Sequence, residues 1–132
     1  MIVLDASVWV PALADDSALG ESCRDVLAQD PDWVAPAHGP VEALRTIRRY
    51  RAVGAVSEEL ADLCAAAIWG AEVLYVGPEP WVLRQTWELR HNLNPYDAPY
   101  VAVARSMAIP LVTRDVRMAR AADALGVQTV VP

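Results

Sequence analysis

The chain opens on Met1-Ile2-Val3-Leu4, an apolar run without polar alternation that stops at the carboxylate of Asp5. A strand with one wet face alternates apolar and polar residues, whereas a strand apolar at every position is covered on both faces, the pattern of an inner strand of a parallel sheet. Asp5 then closes the strand. Ligands of open α/β sheets sit outside the carboxyl ends of the strands, so an acid at that point faces the functional crevice.

The rest of the sequence repeats this alternation of short apolar runs and amphipathic stretches. A short helix from Ser7 to Ala14 carries Val8, Trp9, Val10 and Leu13, with Pro11 expected in its first turns, where a missing N–H costs least. A second, from about Ser17 to Ala28, puts Leu19, Cys23, Val26 and Leu27 on one face. Trp33 to Ala35 reads as the second strand, closed by Pro36. A third helix, from about Ala37 to Arg51, sets Ala43, Leu44, Ile47 and Tyr50 apart from a polar side holding Glu42, Arg45 and Arg49. Ser57, followed by Glu58 and Glu59, caps a fourth helix that runs to about Trp69. Glu72 to Val76 is a third strand, and a fifth helix from about Glu79 to Arg90 carries Val82, Leu83, Trp87 and Leu89. Pro99 cannot donate an N–H, so a sixth helix starts beside it, with Asp97 as its expected cap, and reaches Met107. Ile109 to Thr113 is a fourth strand, a seventh helix spans about Arg114 to Leu125, and Val127 to Val131 is the last strand. The expectation is a single domain over residues 1–132, an α/β fold with a three-layer α/β/α sandwich on a central, mainly parallel five-stranded sheet and right-handed crossovers.

Composition removes several function classes. No apolar run approaches the roughly 20 residues of a membrane span, and no basic leader precedes the first strand, which gives an expectation of a soluble, cytoplasmic protein without membrane contact. Cys23 and Cys64 lack C-x-x-C spacing and read as buried free thiols. His38 and His91 are too few to build a zinc site and read as structural or surface residues. All 11 basic residues are Arg, and there is no Lys. A phosphate-binding P-loop needs its Lys, and receiver domains and haloacid-dehalogenase-like phosphatases also rely on one beside their acids. The net charge of -6 opposes indiscriminate nucleic-acid binding unless a bound cation offsets it.

Four acids fall where the crevice should be: Asp5 after the first strand, Asp115 just after the fourth, Asp97 at a helix start, and Glu42 on the third helix. Each has an ordinary explanation. The three Asp residues precede or open helices and are candidate N-caps, and Glu42 is placed for an i,i+3 pair with Arg45. Convergence in space separates the two readings. Converging carboxylates repel, raise one another's pKa and call for a counter-ion. Oxygen-only ligands without His or Cys favour Mg²⁺ or Mn²⁺, ions that activate water and stabilise charge in phosphodiester hydrolysis. Ser7 and Thr113, two residues from Asp5 and Asp115, would add supporting hydroxyls, unless they serve only as local turn caps.

These residues also carry a resemblance. Leu4 to Ser7 (L-D-A-S), Val41 to Arg45 (V-E-A-L-R), Tyr96 to Ala104 (Y-D-A-P-Y-V-A-V-A) and Leu111 to Asp115 (L-V-T-R-D) resemble the four motif blocks of PIN-domain proteins, in order and across essentially the whole chain. The set is most similar to VapC toxins of type II toxin–antitoxin systems. The resemblance implies a PIN-like fold and a Mg²⁺- or Mn²⁺-dependent endoribonuclease with catalytic and metal-binding acids Asp5, Glu42, Asp97 and Asp115, acting on tRNA or other structured RNA. It further implies a homodimer restrained by a cognate VapB-like antitoxin that can place a basic side chain among the acids.

RNA or an antitoxin needs contact surfaces. The candidates are Arg45, Arg48, Arg49 and Arg51 on the third helix, Arg114, Arg117 and Arg120 on the seventh, and Trp9, which so short a helix would leave exposed. Two other readings stay open: a catalytically silent PIN-like interaction module, and a small Mg²⁺-dependent phosphatase.

Overall fold

The computed structural model describes residues 1–132. Its sheet has five strands, β1 (Ile2–Leu4), β2 (Trp33–Pro36), β3 (Val73–Val76), β4 (Leu111–Val112) and β5 (Thr129–Val130), in the order β3-β2-β1-β4-β5. Every pairing is parallel. Seven helices connect them: α1 (Ala6–Ala14), α2 (Ala18–Gln29), α3 (Gly39–Ala52), α4 (Glu58–Trp69), α5 (Pro80–Glu88), α6 (Ala98–Met107) and α7 (Val116–Asp123). The expected three-layer architecture is therefore present, and its sheet is wholly rather than mainly parallel. No helix is long and apolar enough to cross a membrane.

The strand order reverses at β1, the innermost strand. Val3 pairs with Val34 on one side and with Leu111 on the other, which places the ends of β1 and β4 side by side. The period-2 geometry of the strand sends Ile2 and Leu4 into one core, with α1 to α4, and Val3 into the other, with α6 and α7. Both layers are dry at the centre: Val3, Val8, Val34, Val101 and Leu111 are fully buried. This double burial is the physical reason β1 shows no polar alternation.

Helix starts follow the expected capping chemistry at two places. Ser17 accepts from Leu19 N at 3.3 Å and Ser57 from Leu60 N at 3.1 Å. At the close of α1, Gly20 in α2 lies against the preceding turn, and a Cβ there would stand 1.8 Å from the Asp15 carbonyl oxygen. Pro11 falls deeper than expected, at the sixth residue of α1, where the ring denies the Ser7 carbonyl its i+4 partner.

Four further points depart from the sequence reading or settle what it left open. Trp9 is 2% exposed, because α1 is enclosed by α2, α3 and α4, and its ring meets Trp33 edge-on at 6.5 Å; it offers no contact surface. Leu83 and Trp87 face outward, since α5 lies at the periphery and packs mainly on α6, burying Val82. The last two strands shrink to two residues each, since only Leu111–Val112 and Thr129–Val130 pair. Glu42 forms no pair with Arg45. Cys23 and Cys64 are buried free thiols, as expected.

Candidate active site

At the point where the strand order reverses, the first helix begins without using its acid as a cap. Asp5 occupies the N-cap position of α1 with extended backbone (φ -90, ψ 145), yet its side chain makes no capping bond. The carboxylate instead turns across the β1–β4 seam. Its Oδ2 accepts from Ser7 Oγ at 2.5 Å and from Thr113 Oγ1 at 2.6 Å. Ser7 in turn accepts from the Arg114 N–H at 2.9 Å, and Thr113 from the Asp115 N–H at 3.0 Å. Each hydroxyl therefore spends its own proton on Asp5 because a backbone N–H already fills its acceptor side. Asp5 and Thr113 are both buried, at 6% and 0% exposure, so this bridge operates out of water, where hydrogen bonds to a charge count most.

Asp97 stands at the N-cap of α6 but also makes no capping bond. Its place is set by a turn: Asn94 Oδ1 accepts from Tyr96 N at 2.8 Å and Asp97 N at 2.9 Å, and Asn94 Nδ2 donates to Asp97 Oδ2 at 2.6 Å. Glu42, in the first turn of α3, accepts from the Tyr100 hydroxyl at 2.7 Å through Oε2, with His38 Nε2 at 3.6 Å from the same atom. Asp115 alone behaves as a cap, its Oδ1 accepting from Arg117 N and Met118 N at the start of α7.

A single cleft of about 780 Å³ is lined by all four acids together with Ser7, Arg45, Arg48, Arg49 and Arg114. A second cleft of comparable size, about 720 Å³, lies between α5 and the end of α6; it shares no residue with the first and contains one acid, Glu88. The chemistry thus concentrates at the β1–β4 seam. Thr113 touches Asp5 and Asp115 without lining the cleft itself, and Arg51 is removed from it by an ion pair with Glu58 at 2.5 Å. Arg117 lies outside the lining but near enough to Asp97 to draw its pKa down, and Arg120 is exposed elsewhere on α7.

Electrostatically the acids sense one another. Burial raises the pKa of Glu42, and the Asp5 and Asp97 charges add to that, while the Tyr100 hydrogen bond and His38 oppose it. Burial likewise raises Asp97, reinforced by Asp115 and Asp5 and opposed by Arg117 and Asn94. The four lining arginines do not close on these acids. None of them forms an ion pair, the only side-chain pairs in the molecule being His38 with Glu42 and Arg51 with Glu58. Arg114 even keeps a buried Nε with no hydrogen-bond partner.

Each acid has one oxygen engaged by the protein and one with no protein donor: Asp5 Oδ1, Glu42 Oε1, Asp97 Oδ1 and Asp115 Oδ2. Four partnerless carboxylate oxygens, with no thiol or second imidazole, suit a hard cation such as Mg²⁺ or Mn²⁺. The acids share the cleft without forming a finished shell, since no three His, Cys, Asp or Glu side chains are grouped as a ready metal site. Asn94, Tyr100 and His38 were not among the residues expected here. Asn94 has a sequence signal, the Asn-Pro turn three residues before an acid; Tyr100 falls inside the Tyr96 to Ala104 block, but nothing there pairs it with Glu42, and His38 stands alone.

The PIN domain family model matches residues 2–124. Ribonuclease VapC1 of Mycobacterium tuberculosis is 34% identical over 119 residues, spanning 90% of this chain and 89% of that protein. Ribonuclease VapC9 of the same organism is 30% identical over 139 residues, spanning 100% and 99%. Among solved structures, that of M. tuberculosis VapC20, described as a sarcin–ricin loop cleaving toxin, superposes with a TM-score of 0.74 at 22% identity and covers 100% of both chains. Matched by the family model over residues 2–124 and by relatives at least 30% identical across 90% or more of its length, this chain belongs to the PIN-domain family, in the group of the VapC ribonucleases.

Proposed function

We propose that the chain is the toxin component of a type II toxin–antitoxin system, an endoribonuclease that hydrolyses phosphodiester bonds of structured RNA at the β1–β4 seam. The observation that carries this reading is one cleft in which four acids, each with a free oxygen, face four arginines without a single ion pair between the two sets. Acids and arginines that line one cleft without pairing are both available to a third party. A phosphodiester with a divalent cation has the complementary charges.

Asp5, Glu42, Asp97 and Asp115 would hold Mg²⁺ or Mn²⁺ through their partnerless oxygens. When bound, such an ion supplies Lewis acidity toward a phosphodiester and toward water. The chain itself contributes orientation. Ser7 and Thr113 lock Asp5, Asn94 locks Asp97, and the α7 N-terminus locks Asp115. Arg45, Arg48 and Arg49 present one basic wall along α3, and Arg114 a second from the β4 end, to hold phosphates on either side of the scissile bond. Similarity to the VapC ribonucleases supports a homodimer and a cognate VapB-like antitoxin, whose basic side chain could replace the cation among the acids.

Purified, antitoxin-free protein should cut structured RNA with Mn²⁺ or Mg²⁺, and Asp97→Asn should abolish cutting while the circular dichroism spectrum stays unchanged. Cleavage by the variant at the wild-type rate would overturn the assignment.

A further inference from the structure

We propose that Tyr100 is a positioning residue of the acid cleft: its buried hydroxyl holds one oxygen of Glu42 so that the other is presented to a divalent cation. The inference rests on reading the cleft as a cation site. Tyr100 is 1% exposed and sits in a run of fully buried α6 residues, Ala98 to Ala104, where a hydroxyl is out of place unless it has a partner. Its one partner is Glu42 Oε2, 2.7 Å away on α3. The contact crosses between two layers of the fold and joins residues 58 positions apart.

Two neighbours shape the same contact. Gly39 lies one turn before Glu42, and a Cβ there would come to 3.1 Å from Tyr100 Oη and 3.3 Å from Ala35 Cβ. Glycine leaves room for the hydroxyl to reach the carboxylate. On the other side, His38 Nε2 bonds the Tyr96 carbonyl at 2.9 Å; a carbonyl only accepts, so that nitrogen carries the proton. The His38 ring meets Tyr100 edge-on at 5.5 Å and Tyr96 at 6.1 Å. Glu42 Oε2 is thus enclosed by Tyr100 and His38, while Oε1 has no donor. A glutamate on an open helix face samples several rotamers and must be ordered before it can act as a ligand. Here that ordering is already done. Partners that orient a ligand in this way commonly change metal affinity by about 10- to 100-fold when removed.

The test is a Mn²⁺ titration followed by thermal melting, with wild type, Tyr100→Phe, Glu42→Gln and the double variant, without recourse to activity. Tyr100→Phe should raise the half-saturating Mn²⁺ concentration by about 10- to 100-fold. In the Glu42→Gln background the same change should add nothing, because the residue it acts through is gone. Gly39→Ala, which crowds the hydroxyl, should shift the titration the same way as Tyr100→Phe, and it decides the matter if Tyr100→Phe fails to fold. A purely structural tyrosine would lower the metal-free melting temperature yet leave the half-saturating concentration unchanged, or would add its full effect to Glu42→Gln; either result overturns the proposal. A wild-type chain indifferent to Mn²⁺ would overturn the cation reading of the cleft itself, and this inference with it, whereas a wild type that responds while Tyr100→Phe matches it removes Tyr100 alone.

Discussion

Replacing Thr113 by valine removes one hydroxyl and almost no volume, which isolates the bridge over the β1–β4 seam. The side chain is fully buried, so neither group it leaves behind gains easy access to water. Asp5 Oδ2 loses a 2.6 Å donor and keeps only Ser7, and the Asp115 N–H loses its acceptor. A hydrogen bond to a charged group contributes about 2 kcal/mol and the neutral one about 1 kcal/mol, for a loss near 3 kcal/mol. Unfolding entropy of about 2.1 cal/mol/K per residue amounts to about 0.28 kcal/mol/K over 132 residues, so the melting temperature should fall by about 11 °C. Thr113→Ser, which keeps the hydroxyl, should recover most of that. Differential scanning calorimetry at pH 7 without metal is the assay. A valine variant melting within about 2 °C of wild type would refute the view that Asp5 depends on this donor.

Asp97 and Glu42 give a pH-dependent prediction. Both hold a proton more tightly when folded than when unfolded, so their contribution to stability is complete below the ordinary carboxylate range and is lost as pH rises through their raised values. Metal-free Asp97→Asn should therefore melt above wild type at pH 7, and the gap should close as the pH falls to the point where wild-type Asp97 is protonated; a variant that melts lower at pH 7 contradicts this. Gly20→Ala should cost about 3 kcal/mol or abolish folding, because the new methyl overlaps the Asp15 backbone and no side chain can swing aside, as chemical denaturation would measure. Arg45, Arg48 and Arg49 changed to alanine one at a time should each weaken RNA binding and reduce the salt dependence of the affinity by about one phosphate contact, whereas Arg51→Ala, already paired with Glu58, should change it little; binding isotherms at several salt concentrations separate the two.

Much of the architecture could be read from residue order. Unbroken apolar runs marked inner strands, and Ser17 and Ser57 marked helix starts, because both signals are local. The same locality explains the failures. Trp9 belongs to a short helix, and its burial depends on three other helices closing round it. Leu83 and Trp87 follow helical spacing, yet α5 has one neighbour rather than a layer above it. Asp5 and Asp97 look like helix caps, and only the positions of Thr113 and Asn94 show that their side chains are otherwise engaged. Tyr100 lies inside one of the motif blocks, yet nothing in its neighbourhood announces a carboxylate 58 residues earlier.

The clasp on Asp5 joins the end of β1 to a residue 108 positions later. Any fragment that ends before Leu111 has Asp5 but neither its second hydroxyl partner nor β4 beside it. The acid cleft therefore takes its shape late in synthesis, because Asp5 stays half-held until the ribosome has passed Thr113.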